Sequence, residues 1–274
     1  MFQKLKKIRR LVQRDGLSFT IKRAMAFSIA HSPLAYRLSF SYTKNTRLVF
    51  APALLTYSIF ANKQTRHTDI DLAKKYTPVG GIMVDVGGNI GSITIPVAEH
   101  VGPTGAVHIF EPSPKFFEII TSNISLNNFS DRVTAHQVAL GSRIDTVYLN
   151  ESVDDDTTNH IAAAGTAVQQ DTLDSFTSTL PHIDFLKIDV EGYELEVLKG
   201  ATDTLQKTET LFIEFIPKQL ERCGSDPQEV LVILRTHFTI YTLEADGLTP
   251  FTYSQADTHH PDLLCLKKST PAYA

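Results

Sequence analysis

Tryptophan is absent from this 274-residue chain, and cysteine occurs only as Cys223 and Cys265. The two cysteines follow no metal-ligand spacing and build no disulfide framework, so both are expected to be reduced thiols in a cytoplasmic protein. The apolar stretch from Leu48 to Ala61 is short of the roughly 20 residues of a spanning helix and contains Pro52. It reads as a buried or surface-seeking element, and no transmembrane segment is expected. No apolar core with a small-residue cleavage site follows the first basic cluster, so a secretory signal is not expected either.

Acidic residues are nearly missing from the first quarter of the chain. Through Arg66 there are 13 Lys and Arg against Asp15 alone, a net of +12, while the remainder carries −16. The two parts should meet different partners. From Phe2 to Arg14, the residues Phe2, Leu5, Ile8 and Val12 share one helical side and Lys6, Lys7, Arg10 and Arg14 the other. This pattern fits an anionic membrane surface, at roughly 1 kcal/mol per nearby cation. It also fits a helix docked on the domain through its apolar stripe. Peripheral contact with the inner membrane surface through residues 2–23 is therefore one expectation, and residues 1–76 read as a basic N-terminal helical extension. Nucleic acid is not the expected partner.

What is present is concentrated at Val84-Asp85-Val86-Gly87-Gly88-Asn89-Ile90-Gly91. Ile82 to Val86 is an apolar run of strand type, a small-residue turn follows, and Ile93 to His100 reads as a helix. A strand, tight turn and helix make a ligand-holding corner, with the amides of the new helix facing the ligand. Asn89 tolerates a left-handed backbone better than most residues. The spacing is not the Gly-x-Gly-x-x-Gly of a dinucleotide fingerprint.

Beyond Gly81 the patterns alternate. Strands are expected at Gly105–Phe110, Val133–Leu140, Phe185–Val190, Leu211–Phe215, Phe238–Leu243 and Leu263–Leu266. Helices are expected at Pro114–Asn127, capped by Ser113, at Tyr193–Ala201 and at Pro227–His237. Such alternation predicts a parallel, doubly wound α/β sheet. Gly141 to Pro181 interrupts it: Ile144, Val147 and Leu149 suggest a hairpin, and Asp154-Asp155-Asp156 a loop tip over the carboxyl edge of the sheet.

Glu111 ends the second strand 24 residues after Gly87, where an acid can accept hydrogen bonds from both hydroxyls of a ribose. It also suits the dipole of the following helix. In Phe185-Leu186-Lys187-Ile188-Asp189-Val190-Glu191-Gly192, alternation puts Lys187 and Asp189 on one face. Ionisable groups in a buried strand need partners. Either Lys187 pairs with Asp189 or Asp85 for structural reasons, or Asp189, Glu191 and Lys187 form a catalytic set beside Asp85 and Gly87. Glu214, with Asp189 and Glu191, offers oxygen ligands for a divalent metal, but no histidine at a telling spacing supports one and no metal is expected. His160, His259 and His260 fall in expected loops and read as surface residues.

Taken together, these residues resemble the FkbM-type methyltransferases. The matching stretches are Val84 to Gly91, Phe110-Glu111-Pro112, Asp171-Thr172-Leu173-Asp174 and Phe185 to Ala201. They lie between about Ile82 and Phe215, leaving the first 75 or so residues outside. Gly88 departs from the family, which usually has Ala there. The resemblance implies a seven-stranded class I methyltransferase sheet, Rossmann-like, of order 3-2-1-4-5-7-6 within residues 77–274. It implies S-adenosylmethionine as methyl donor and a hydroxyl acceptor, often a sugar, glycolipid or secondary metabolite. By it Asp85, Gly87, Gly88, Asn89 and Gly91 hold the methionine end, Glu111 the ribose, and Ala139 lies beside adenine. The Asn/Asp-Pro-Pro-aromatic motif of amino-methylating relatives is missing, which favours oxygen. Two other classes remain open from the residues alone: an NAD(P)-dependent oxidoreductase, and a non-catalytic membrane- or RNA-binding module on the same fold.

Overall fold

The computed structural model describes residues 16–150, 160–244, 247–253 and 262–268. The basic stretch Phe2–Arg14, the Asp154–Asp156 tip, His259 and His260 lie outside the described residues. The chain opens with helix α1 (Leu17–Ala30), a small antiparallel pair β1 (Ser39–Ser41) and β2 (Arg47–Val49), then α2 (Leu54–Ala61) and α3 (His67–Tyr76). The first segment is thus not wholly helical. The apolar stretch from Leu48 is split between β2 and α2, with Leu55, Tyr57 and Ile59 buried. No described helix is long and apolar enough to cross a membrane.

The alternating region follows as β3 (Ile82–Val86), α4 (Thr94–Val101), β4 (Ala106–Phe110), α5 (Pro114–Asn127) and β5 (Val133–His136). Helix α5 starts where expected because Pro114 needs no N–H partner at the first turn and Ser113 Oγ accepts from the Phe116 amide. The strand expected over Val133–Leu140 is broken. Its second half, β6 (Ala139–Leu140), leaves the main sheet and pairs with β9 (Thr166–Asp171), which also holds β7 (Asp145–Asn150); β8 (His160–Ala162) completes this four-stranded sheet. The hairpin expected at Ile144–Leu149 is therefore part of a larger unit.

After the short helix α6 (Leu173–Thr177) come β10 (Ile183–Ile188), α7 (Glu194–Lys199), α8 (Thr202–Gln206), β11 (Thr208–Glu214), α9 (Pro217–Arg222), α10 (Pro227–His237), β12 (Phe238–Glu244), β13 (Gly247–Pro250) and β14 (Asp262–Lys267). The main sheet has eight strands in the order β13-β12-β14-β11-β10-β3-β4-β5. Leaving out the edge strand β13, this is the order 3-2-1-4-5-7-6. The expectation of a parallel sheet is corrected at one end: β14 runs antiparallel to both β11 and β12, and the edge strand β13 antiparallel to β12. No crossover helix is described between β12 and β14, and antiparallel neighbours need none.

Two apolar layers cover the sheet. One joins Met83, Phe185 and Phe212 to α4, α5 and the N-terminal segment through Ala26, Leu48, Ile59 and Ile70. The other packs Val84, Val86, Leu186 and Ile188 against Leu195, Leu198, Leu231 and Leu234. Strand alternation therefore turns Asp85 and Lys187 toward the face that the N-terminal segment covers.

Candidate active site

The corner after β3 is bent three times into positive φ, at Gly87 (80°), Asn89 (51°) and Gly91 (77°). Gly87 is required by the protein itself: a side-chain carbon there would overlap the carbonyl oxygen of Asp189. A carbon at Gly88 would overlap the end of Ile109. The amides of Gly87 and Gly88 both donate to Phe110 O, at 3.0 and 3.1 Å, and that of Asn89 to Glu111 Oε2 at 2.9 Å. These three turn amides are therefore already paired within the protein. What the turn presents instead is side chains. Among the described residues, Asn89 Oδ1 and Asp85 Oδ1 are buried without a hydrogen-bond partner.

Strands β3 and β10 are neighbours, and the register sets Lys187 opposite Asp85. Lys187 Nζ lies 3.4 Å from Asp85 Oδ1, 3.2 Å from Asp189 Oδ2 and 3.4 Å from Gly87 O. Burial works against its charge, but Asp189 and Asp85 outweigh it and its pKa is raised. The ammonium is thus committed and stays charged. Thr94 Oγ1 donates to the other Asp85 oxygen at 2.6 Å.

Past β10 the backbone turns through Glu191 (φ 56°) and Gly192 (φ 107°). The turn is held by Glu194, whose buried Oε1 accepts from the amides of Val190 and Gly192 at 3.1 and 3.2 Å. Glu191 Oε2 accepts from Gln219 Nε2 at 2.9 Å. Asp189, Glu191 and Glu214 each bring a carboxylate oxygen within 4.8 Å of the others. Burial first, then Asp189 and Glu194, pushes Glu191 up to about 7. Burial, Asp189 and Glu191 push Glu214 up to about 9, so it carries a proton at neutral pH.

Most of the acids, the lysine and the turn residues just described border one open cleft. Asp85, Gly87, Gly88, Asn89, Glu111, Ala139, Lys187, Asp189 and Glu191 all border it, and Gly91 is not among the residues that do. Glu111 Oε1 accepts from the Ser113 amide at 3.0 Å, and burial pushes its carboxyl up to about 7. Phe110, Val138, Ala139 and Leu140 give the cleft an apolar wall beside Glu111. The chemistry fits S-adenosylmethionine: the unbonded Asn89 Oδ1 and the Asp85 carboxylate for an ammonium, an acid for ribose hydroxyls and an apolar slot for adenine.

Several lining residues are not among those the sequence singled out. His160 stands half-buried on β8 and borders the cleft, so the surface reading of it is corrected: pairing of β8 with β7 draws it in. Leu55 and Arg66 reach the cleft from the N-terminal segment, and Tyr193 from the turn before α7. Only the positive charge of the first 66 residues hinted at Arg66.

The strand order and the cleft at the β3–β10 boundary define the class of S-adenosylmethionine-dependent methyltransferases. A family model described as the methyltransferase FkbM domain matches residues 85–239, more than half of the chain. The chain belongs to the FkbM methyltransferase family, and its activity is methyl transfer from S-adenosylmethionine. It is 29% identical over 183 residues to Methyltransferase 1 of Beauveria bassiana, a match covering 54% of this chain and 73% of that protein. It is 28% identical over 162 residues to the hexuronic acid methyltransferase AglP of Haloferax volcanii, covering 56% of this chain and 61% of that protein. A solved S-adenosylmethionine-dependent O-methyltransferase of Thermotoga maritima superposes with a TM-score of 0.44 at 14% identity, over 85% of this chain and 86% of that one.

Proposed function

We propose that the methyl group goes to a hydroxyl oxygen of a sugar, glycolipid or secondary metabolite. The supporting observation is the Asp189 carboxylate at the cleft wall, its Oδ2 held 3.2 Å from Lys187 Nζ. In this reading Asp85 and Asn89 take the methionine end of the donor, Glu111 its ribose, and Ala139 lies against adenine.

S-adenosylmethionine supplies a methyl group already activated on a sulfonium. The protein's task is then mostly alignment, which can supply roughly 7–11 kcal/mol of the barrier. A base adds about 3–5 kcal/mol. Asp189 would be that base: its carboxylate would take the hydroxyl proton as the acceptor oxygen takes the methyl group, the methyl–sulfur bond breaks and S-adenosylhomocysteine leaves. Lys187 acts by positioning, since its three contacts hold Asp189 and Asp85 at fixed places on adjoining strand ends. Glu191 stands beside Asp189 as a second acid. A sugar acceptor is in keeping with the name of the Haloferax relative.

Purified protein incubated with cell extract and isotope-labelled donor, followed by mass spectrometry, tests the acceptor. A base-stable methyl ether is expected. Label recovered as a methylamine or a base-labile ester would reject the hydroxyl reading.

We also propose that the protein is cytoplasmic and contacts the inner membrane surface through residues 2–23. Helix α1 supports this by exposing Leu17, Ile21 and Met25 (61%, 50% and 52%) at four-residue intervals, beside Lys22.

A further inference from the structure

Arg66 lies outside the residues that match the family model. It precedes α3 in a left-handed conformation, φ 67° and ψ 7°, which costs a non-glycine residue about 1–2 kcal/mol and persists where its surroundings demand it. Its side chain is 40% exposed and borders the cleft with Leu55. Nη1 donates to Asp69 Oδ2 at 3.2 Å, its one hydrogen-bond partner among the described residues. A guanidinium has five N–H groups, so most of the fork remains to be used.

The donor places a carboxylate as well as an ammonium at its methionine end. Asp85 and Asn89 suit the ammonium and repel or ignore the carboxylate. Of the lysines and arginines described, Lys187 and Arg66 border the cleft. Lys187 is taken up by Asp85, Asp189 and Gly87 O. Arg66 feels the charges of Asp189 and Asp262 and in turn opposes that of Lys187. The guanidinium thus borders the same cleft as Asp85, Lys187 and Asp189.

We propose that Arg66 binds the methionine carboxylate of S-adenosylmethionine through its planar fork, so that the N-terminal segment completes the cofactor site. Guanidinium and carboxylate match in charge and in bidentate geometry. The assignment rests on the cofactor reading of the cleft and adds to it a contact from outside the family domain.

Calorimetric titration of the full chain with S-adenosylhomocysteine and with 5′-methylthioadenosine tests it, because the second ligand keeps the adenosine and thioether but lacks the amino acid. Arg66→Gln is expected to weaken S-adenosylhomocysteine by roughly 10- to 100-fold, as for loss of a hydrogen bond to a charged group. Binding of 5′-methylthioadenosine should change less than about twofold, the floor for a contact it does not make. Arg66→Lys keeps the charge without the fork and should fall between, and it serves if the glutamine variant melts at lower temperature than the parent. Equal weakening of both ligands would make Arg66 a structural residue and overturn the proposal. Unchanged affinity for both would overturn it too, and would turn attention to acceptor binding. Failure of the unaltered chain to bind S-adenosylhomocysteine at all would instead bring down the cofactor reading beneath it.

Discussion

Asp189 owes its place to its neighbours on two strands. Its amide donates to Val86 O at 3.1 Å and its side chain to no one; it accepts from Lys187. Asp189→Asn keeps the shape and removes the proton acceptor. Affinity for S-adenosylhomocysteine should then hold while turnover with the labelled extract falls at least tenfold, the lower part of what a positioned base contributes. Turnover within twofold of the parent would take Asp189 out of the chemistry. Asp85, Glu111, Lys187 and Asp189 were legible as candidates because acids and a lysine in buried strands stand out from their apolar surroundings. Arg66 and His160 were not, since nothing near them in sequence differs from an ordinary surface stretch.

The element with most to say is α5. Asn123, fully buried on it, accepts from the Val49 amide at 2.8 Å and donates to Ile90 O at 2.9 Å. One side chain so joins β2, the corner after β3 and α5. One turn on, Asn127 exchanges two hydrogen bonds with the backbone of Arg47, at 2.9 and 2.8 Å. The helix thereby serves as a pairing partner for the edge of β2. Asn123→Ala leaves a buried amide and a buried carbonyl unpaired, at roughly 1–3 kcal/mol each. Urea unfolding should show a loss of that size with the slope unchanged; a loss below about 0.5 kcal/mol would mean that the two groups find other partners. The bounds of α5 and α10 were readable because Ser113 and Asp226 cap them and a proline follows each cap. The end of β5 was not, because Val138, Ala139 and Leu140 are as apolar as the strand before them and only pairing with β9 separates them.

At the scale of the whole molecule, the acids gathered at the carboxyl edge should govern stability against pH. Burial pushes Glu111, Glu191 and Glu194 up to about 7 and Glu214 up to about 9. In the unfolded chain they ionise near 4.5. Their contribution is full below that value and is lost as pH rises through the folded values, where the unfolded chain has already released protons that the folded one retains. Half-buried His136, lowered to about 4, and His108, also lowered, act oppositely, and their contribution fades as pH falls below 6.5. The ligand-free protein should therefore lose melting temperature from about pH 6.5 to 9, and Glu214→Gln should flatten the upper part of that fall. A melting temperature that climbs across this window would contradict the burial of these acids. The charge asymmetry gives the second prediction at this scale. Ile21→Glu with Met25→Glu should abolish flotation with anionic phosphatidylglycerol vesicles while leaving S-adenosylhomocysteine binding intact. Equal flotation of parent and variant would detach α1 from any membrane role. A truncation is the wrong instrument, since Ala26 through Ala73 share the core with Met83 and Phe185.

By itself the sequence determined the alternation of strands and helices, the sharp corner at Gly87–Gly91 and the acids at strand ends, because each follows from local backbone freedom, period and the cost of burying charge. The sequence also carried the family signature. Tertiary structure alone decided that Lys187 faces Asp85, that β6 deserts the main sheet, that β14 runs backward, and that Arg66 and His160 reach the cleft. Those outcomes depend on contacts between segments far apart along the chain, and no local pattern encodes which distant partner a strand edge or a side chain will meet.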